Sequence, residues 1–175
     1  MSSSIWAVIP AAGSGRRMAA EVPKQYLLVN GVPILEHTLI ALLACPDIRG
    51  LVVVLDPSDR RADSIESLSD PRVFRAAGGS ERADSVLSGL QAIAPYASSD
   101  DWVLVHDAAR PCISVSVLRQ LIDHTVESGV GTVLAQASTD TLKRVSSSMR
   151  ISESLDRRVV WRAQTPQMFR LSELE

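Results

Sequence analysis
Short apolar runs alternate with stretches of helical periodicity along most of the chain. Ile5-Trp6-Ala7-Val8-Ile9 is rich in β-branched residues and predicts a buried strand. After it, Asn30-Gly31 signals a tight turn. Ile34, Leu35, Thr38, Leu39, Leu42 and Leu43 recur at helical spacing, with Pro33 in the first turn and Pro46 as the stop. Leu51-Val52-Val53-Val54-Leu55 predicts a second central strand, and Asp56-Pro57-Ser58-Asp59 a turn. A short polar helix is expected through Ile65 and Leu68, then a weaker strand at Val73-Phe74-Arg75-Ala76-Ala77. Val86, Leu87, Leu90 and Ile93 form the stripe of the next helix, with Ser80 as its expected N-cap. Trp102-Val103-Leu104-Val105-His106 predicts a fourth strand. Val117, Leu118, Leu121, Ile122 and Val126 predict a helix stopped by Gly129, and Thr132-Val133-Leu134-Ala135 a fifth strand.

From Ser138 to Ala163 serines and charges take over, with β-prone pieces at Leu142-Lys143-Arg144-Val145 and Val159-Val160-Trp161. This segment reads as a hairpin or arm projecting from the sheet. The alternation before it implies an α/β fold with a mostly parallel sheet and helices on both faces. The length suits a single domain over residues 1–175. The final Leu171-Ser172-Glu173-Leu174-Glu175 begins an amphipathic pattern without completing it, so a further C-terminal part of the domain is expected.

Composition narrows the classes. The chain is 46% hydrophobic and 22% charged with a net charge of −2, so no basic excess draws it to nucleic acid. No apolar segment reaches membrane-spanning length, and the start lacks the pattern of a signal peptide. The two cysteines, Cys45 and Cys112, are far apart and suit a reducing compartment. Scattered histidines offer no zinc cluster, and no metal-ligating residue set is expected.

The candidate chemistry sits where strands end. The first strand runs into Pro10-Ala11-Ala12-Gly13-Ser14-Gly15-Arg16-Arg17-Met18, and Lys24 follows Pro23. Backbone amides beside glycines, with cations close by, suit a triphosphate. The loop lacks the Gly-Lys-Ser/Thr of a Walker A motif and the third small residue of a dinucleotide fingerprint. By itself it reads equally well as a tight turn with solvated arginines. Three more clusters strengthen the anion-site reading: Gly78-Gly79-Ser80 with Arg82, Asp84 and Ser85; Asp107 with Arg110; and Thr141, Arg157 and Thr165 in the arm and its return. His106 reads as a packed strand-end residue, Cys112 as a small hydrophobe near the pocket, and the tryptophans as core or arm packing.

Pro10 to Met18, Pro23-Lys-Gln-Tyr-Leu27, Gly78-Gly-Ser-Glu-Arg-Ala-Asp-Ser-Val86, Val105-His-Asp-Ala-Ala-Arg-Pro111, Asp140-Thr-Leu-Lys143 and Gln164-Thr-Pro-Gln167 occur in order along the chain. Together they resemble the 2-C-methyl-D-erythritol 4-phosphate cytidylyltransferase family of the non-mevalonate isoprenoid pathway. The resemblance implies a Rossmann-like nucleotidyltransferase fold and a cytoplasmic homodimer joined by exchanged β-arms, residues 138–163 standing where the arm would be. It implies transfer of CMP from CTP to methylerythritol phosphate, with Mg²⁺ bound mainly through the CTP phosphates. Arg17 and Lys24 would be catalytic. Ala11, Ala12, Gly13, Ser14, Gly15, Gly79, Ser80, Ser85 and Ala108 would hold the nucleotide. Asp107, Arg110, Thr141 and Thr165 would face the acceptor, with Arg157 reaching over from the neighbouring subunit. The family's further catalytic lysine, in a late Asn-Ile-Lys-like strand, would lie beyond Glu175. Alternatives are a ribitol- or other alditol-phosphate cytidylyltransferase, a CTP-binding dimerisation fragment without turnover, and one half of a bifunctional enzyme.

Overall fold
β1 (Ile5–Pro10) is apolar at almost every position because both of its faces are covered. The computed structural model describes residues 3–13 and 22–174. A 3₁₀ turn, Lys24–Tyr26, precedes a tight hairpin of β2 (Leu28–Val29) and β3 (Val32–Pro33). Asn30 and Gly31 turn it with φ of 52° and 79°, the left-handed pair that a two-residue hairpin needs. Then follow α1 (Ile34–Leu43), β4 (Ile48–Leu55), β5 (Val73–Ala77), α2 (Arg82–Ile93), β6 (Trp102–Val105), α3 (Val115–Ser128) and β7 (Thr132–Ala137). The short strands β8 (Lys143–Val145) and β9 (Ile151–Ser154) precede β10 (Trp161–Arg170) and α4 (Leu171–Leu174).

The main sheet has the order β5-β4-β1-β6-β10-β7. β1 pairs in parallel with β4 and β6, and β4 with β5. β10 runs antiparallel between β6 and β7. The sheet is therefore mostly parallel, with one reversed strand. Successive side chains of a strand face opposite sides, and the core divides accordingly. Ile5, Ala7 and Ile9 pack with Leu35, Leu39 and Leu42 of α1 and Leu118, Leu121 and Ile122 of α3. Trp6 and Val8 pack on the other face with Leu90 and Ile93 of α2 and Leu171 of α4. Trp6 and Trp102 are core residues, whereas Trp161 is exposed.

Local structure departs from the sequence reading in three places. The segment through Ile65 and Leu68 forms two 3₁₀ turns, Arg60–Ser64 and Glu66–Ser69, separated by extended Ile65. The carboxylate of Glu36 accepts the Ser67 amide at 3.1 Å and pins the second turn to α1. At α2 the N-cap is Glu81, not Ser80. Asp84 reaches back to accept both the Glu81 amide at 3.0 Å and the Ser80 hydroxyl at 2.6 Å, which moves the helix start one residue on. The third departure is β10. The arm boundary expected at Ala163 falls inside this strand, which continues from exposed Trp161 into the core at Met168. The ribbon of β8 and β9 stands apart from the main sheet, and residues 143–154 are exposed throughout.

α2 lies close on the sheet because Gly89 faces it. A Cβ at Gly89 would come within 2.5 Å of Val8 Cγ1 and 3.0 Å of Val54 Cγ2. Alanine is the better helix former by about 1 kcal/mol, but overpacking a tight core costs ~1–3 kcal/mol. A 2.5 Å gap puts the cost at the upper end of that range, so Gly89→Ala is expected to lower the unfolding free energy by a net ~1–2 kcal/mol, read in equilibrium unfolding as a lower urea midpoint with an unchanged m-value.

Candidate active site
The parallel direction of β1, β4, β5 and β6 brings the segments that follow them to one edge of the sheet. In open α/β sheets this carboxyl edge is where ligands bind. After β1, Ala11 is buried and its amide donates to the Val54 carbonyl at 2.8 Å. Ala12 and Gly13 continue outward, and Gly13 is exposed. The expected site residues Ser14, Gly15 and Arg17 lie outside the described residues.

What holds the start of this loop is Gln25. Its side chain is buried, and Nε2 donates to the carbonyls of Ala11 at 2.7 Å and Gly13 at 3.1 Å. The same 3₁₀ turn carries exposed Lys24, so one turn both clamps the loop and presents the cation. Gln25 was part of the Pro-Lys-Gln motif. Its role was not legible because both partners are backbone carbonyls.

The loop after β5 lies against the same segment. A Cβ on Gly78 would collide with Ala12 Cβ, so only glycine allows the two loops to touch here. Ser85 is buried; its Oγ accepts the Gly79 amide at 3.2 Å and donates to the Glu81 carbonyl at 3.1 Å. The Gly79 amide is thus committed to Ser85, while the Ser80 hydroxyl points to Asp84. Ala108 is buried, and its carbonyl accepts the Thr38 hydroxyl at 2.9 Å.

Asp107 is the centre of the second half. Arg82, the first residue of α2, donates from Nε at 3.1 Å and Nη2 at 2.9 Å to its Oδ1. Arg110 donates from Nε to Oδ2 at 3.1 Å, and its Nη1 reaches Gln164 Oε1. The Asp107 amide donates to Thr165 Oγ1 at 3.2 Å, and Thr165 is buried in β10. Both arginines are half exposed, so these ion pairs do little for stability; their effect is to fix direction. His106 is buried beneath the loop, with its pKa pushed below the ordinary histidine value by that burial.

The structure therefore joins Asp107, Arg110 and Thr165, adds Gln164, which was not among the expected site residues, and brings Arg82, expected only in the glycine-loop cluster, onto Asp107. Arg82 was visible beside the glycines, and Gln164 opens the Gln-Thr-Pro-Gln motif. Thr141 and Arg157 stand apart on the arm, both exposed, with Arg157 Nη1 donating to the Thr139 carbonyl at 3.2 Å. Cys112 is exposed and not packed as a small hydrophobe. Among the described residues no group of three His, Cys, Asp or Glu side chains could hold a metal ion.

Glycine-lined turns, a clamped loop with an adjacent lysine and a carboxylate–guanidinium cluster on one edge of a mostly parallel sheet define a nucleotidyltransferase-like α/β protein. Residues 5–175 match the family model of 2-C-methyl-D-erythritol 4-phosphate cytidylyltransferase. The protein of that name from Ectopseudomonas mendocina (strain ymp) is 51% identical over 175 residues, covering 99% of this chain and 74% of the relative. The one from Pseudomonas fluorescens (strain SBW25) is 52% identical over 172 residues, covering 98% and 73%. The crystal structure of the Francisella tularensis protein of that name superposes with a TM-score of 0.81 at 34% identity, covering 98% of this chain and 74% of that one. The chain belongs to the 2-C-methyl-D-erythritol 4-phosphate cytidylyltransferase family.

Gln25→Leu should orphan the buried carbonyl of Ala11 and release that of Gly13 to solvent, a loss of ~1–3 kcal/mol in local order. The expected result is weaker CTP binding by roughly tenfold or more, measured by isothermal calorimetry, with acceptor binding changed far less.

Proposed function
We propose that the chain transfers the CMP moiety of CTP to 2-C-methyl-D-erythritol 4-phosphate, releasing pyrophosphate. The observation that carries this reading is the arrangement on one sheet edge. Arg82 starts the helix that follows the glycine loop and ends on Asp107, the centre of the acceptor cluster. Nucleotide-side and acceptor-side elements thus meet at one carboxylate.

The nucleophile is a phosphate oxygen of the acceptor, already ionised at neutral pH. It attacks the α-phosphorus of CTP; the new P–O bond forms as the bond to the bridging α,β-oxygen breaks, and pyrophosphate leaves. No general base is needed. Catalysis rests on placing two anions in line and stabilising charge at the α-phosphate. Arg17 and Lys24 take that role in our reading, supported by their places in the family motifs. In the same reading the backbone of residues 11–15 and the Gly79–Ser80 turn line the nucleotide, while Ser85 and Ala108, both buried and already bonded, hold the surrounding loops in shape. Asp107, Arg110, Thr165 and Thr141 hold the acceptor.

Both carboxylate oxygens of Asp107 are occupied by guanidinium groups, which leaves it poorly placed as a metal ligand. The donor set fits a Mg²⁺ that takes its ligands from the triphosphate. Such an ion would neutralise charge on the departing pyrophosphate. Pairing of two chains through residues 138–163 is supported by the exposed apolar side chains of Met149, Ile151, Val159 and Trp161. Such pairing would bring Arg157 to the neighbour's acceptor site. No described helix is long and apolar enough to cross a membrane; a cytoplasmic location is part of the same reading and rests on the family likeness.

The test is pyrophosphate release with CTP and Mg²⁺, with and without methylerythritol phosphate, and with ribitol phosphate in parallel. Release that requires methylerythritol phosphate is expected. Arg17→Ala and Lys24→Ala should each lower kcat by roughly 10²–10³-fold. Preferential turnover of ribitol phosphate, or CTP binding without turnover of any acceptor, would overturn the reading.

A further inference from the structure
We propose that His106 is a positioning residue for the acceptor half of the site: its buried ring holds the carbonyl of Arg110 and so sets the loop from which Asp107 and Arg110 project. The inference rests on the functional reading above only in naming what those two side chains face.

The geometry is local and closed. The His106 amide donates to the Val8 carbonyl at 3.0 Å, which ties the start of the loop to β1. Four residues on, the Arg110 carbonyl lies 2.9 Å from His106 Nε2. Between them the Arg110 amide donates to the Asp107 carbonyl at 3.2 Å. Residues 106–110 thus form a short loop crossed by its own first side chain. A carbonyl only accepts, so Nε2 must carry the proton. His106 is 1% exposed, so its ring cannot reach a substrate as an acid or base.

The other ring nitrogen excludes simple packing as an explanation. Nδ1 is buried and has no partner among the described residues. An imidazole used only to fill space would leave that acceptor unsatisfied for no return, and an apolar side chain would serve better. The polar ring is explained by the bond that Nε2 makes. That bond turns the Arg110 carbonyl inward. The Arg110 side chain is left outside, bonded to Asp107 Oδ2 at 3.1 Å and to Gln164. Thr165 holds the same loop from the β10 side through the Asp107 amide.

Two substitutions of like chemistry and unlike reach test this. In His106→Gln the side-chain amide can occupy the place of Nε2 and donate to the Arg110 carbonyl. In His106→Asn the amide lies near the place of Nδ1 and falls short. For His106→Asn we expect the KM for methylerythritol phosphate to rise about tenfold or more, with the KM for CTP within about twofold. Hydrogen–deuterium exchange of a peptide spanning residues 107–113 should also quicken. His106→Gln should stay near wild type in both readouts. Equal behaviour of the two variants, an equal rise in both KM values, or loss of the fold in both would overturn the positioning role. If the wild-type chain turns over no acceptor, the functional reading fails, and the exchange comparison still decides whether His106 holds the loop.

Discussion
The parallel pairing of β1 on both sides is the constraint from which the rest of the structure follows. With β4 on one flank and β6 on the other, the central strand is paired on both edges and both of its faces are sealed by helices. β1 runs two residues past its last pair with β6, and its end is tied across the sheet. Ala11 donates to Val54 of β4, and Val8 accepts from His106 at the end of β6. The loops that carry polar chemistry are therefore fixed at their roots by apolar strands. Those strands contribute nothing else to the site. This division suits a reaction between two highly charged substrates, because the roots of the loops are set before either ligand arrives.

The charge arrangement matches a reaction without proton abstraction. The histidine nearest the site is buried, its pKa pushed down by that burial, and its donor nitrogen is spent on a carbonyl. The one carboxylate at the centre is flanked by two guanidinium groups. Neither side chain is arranged to take a proton from a substrate. A phosphate nucleophile needs none taken. What remains for the protein is geometry and compensation of negative charge, and exposed arginine and lysine side chains on rigid turns can provide both.

How much of this was legible in the sequence follows from what kind of interaction fixed each part. β1, β4 and β6 could be read because a strand buried on both faces is an unbroken apolar run. The Asn30-Gly31 hairpin and the Gly129 stop could be read because their left-handed backbone selects the residue type. β10 could not. Its middle, Gln164-Thr165-Pro166-Gln167, is polar and holds a proline, so it looks like a loop, and its place between β6 and β7 depends on partners far away in sequence. The same holds for the site. Motifs located Asp107, Arg110 and Thr165. The links between them, through Arg82, Gln164 and the clamp of Gln25, are contacts across the fold that local pattern does not encode.

Those links also explain why one carboxylate serves better here than several. Asp107 offers two oxygens, and each is taken by an arginine from a different element: Arg82 from α2 and Arg110 from its own loop. A second acid nearby would compete for these guanidinium groups and repel both anionic substrates. A missing Asp107 would leave the two cations to repel each other, and the helix that follows the glycine loop would lose its hold on the loop after β6. The half-exposed setting makes each ion pair weak in stability, since solvent screens it. Weakness is an advantage at this position. A guanidinium bound loosely to a carboxylate can turn to an arriving phosphate at little cost, whereas a buried pair could not. The cluster is thus oriented by its own charges and remains able to exchange them for those of a substrate.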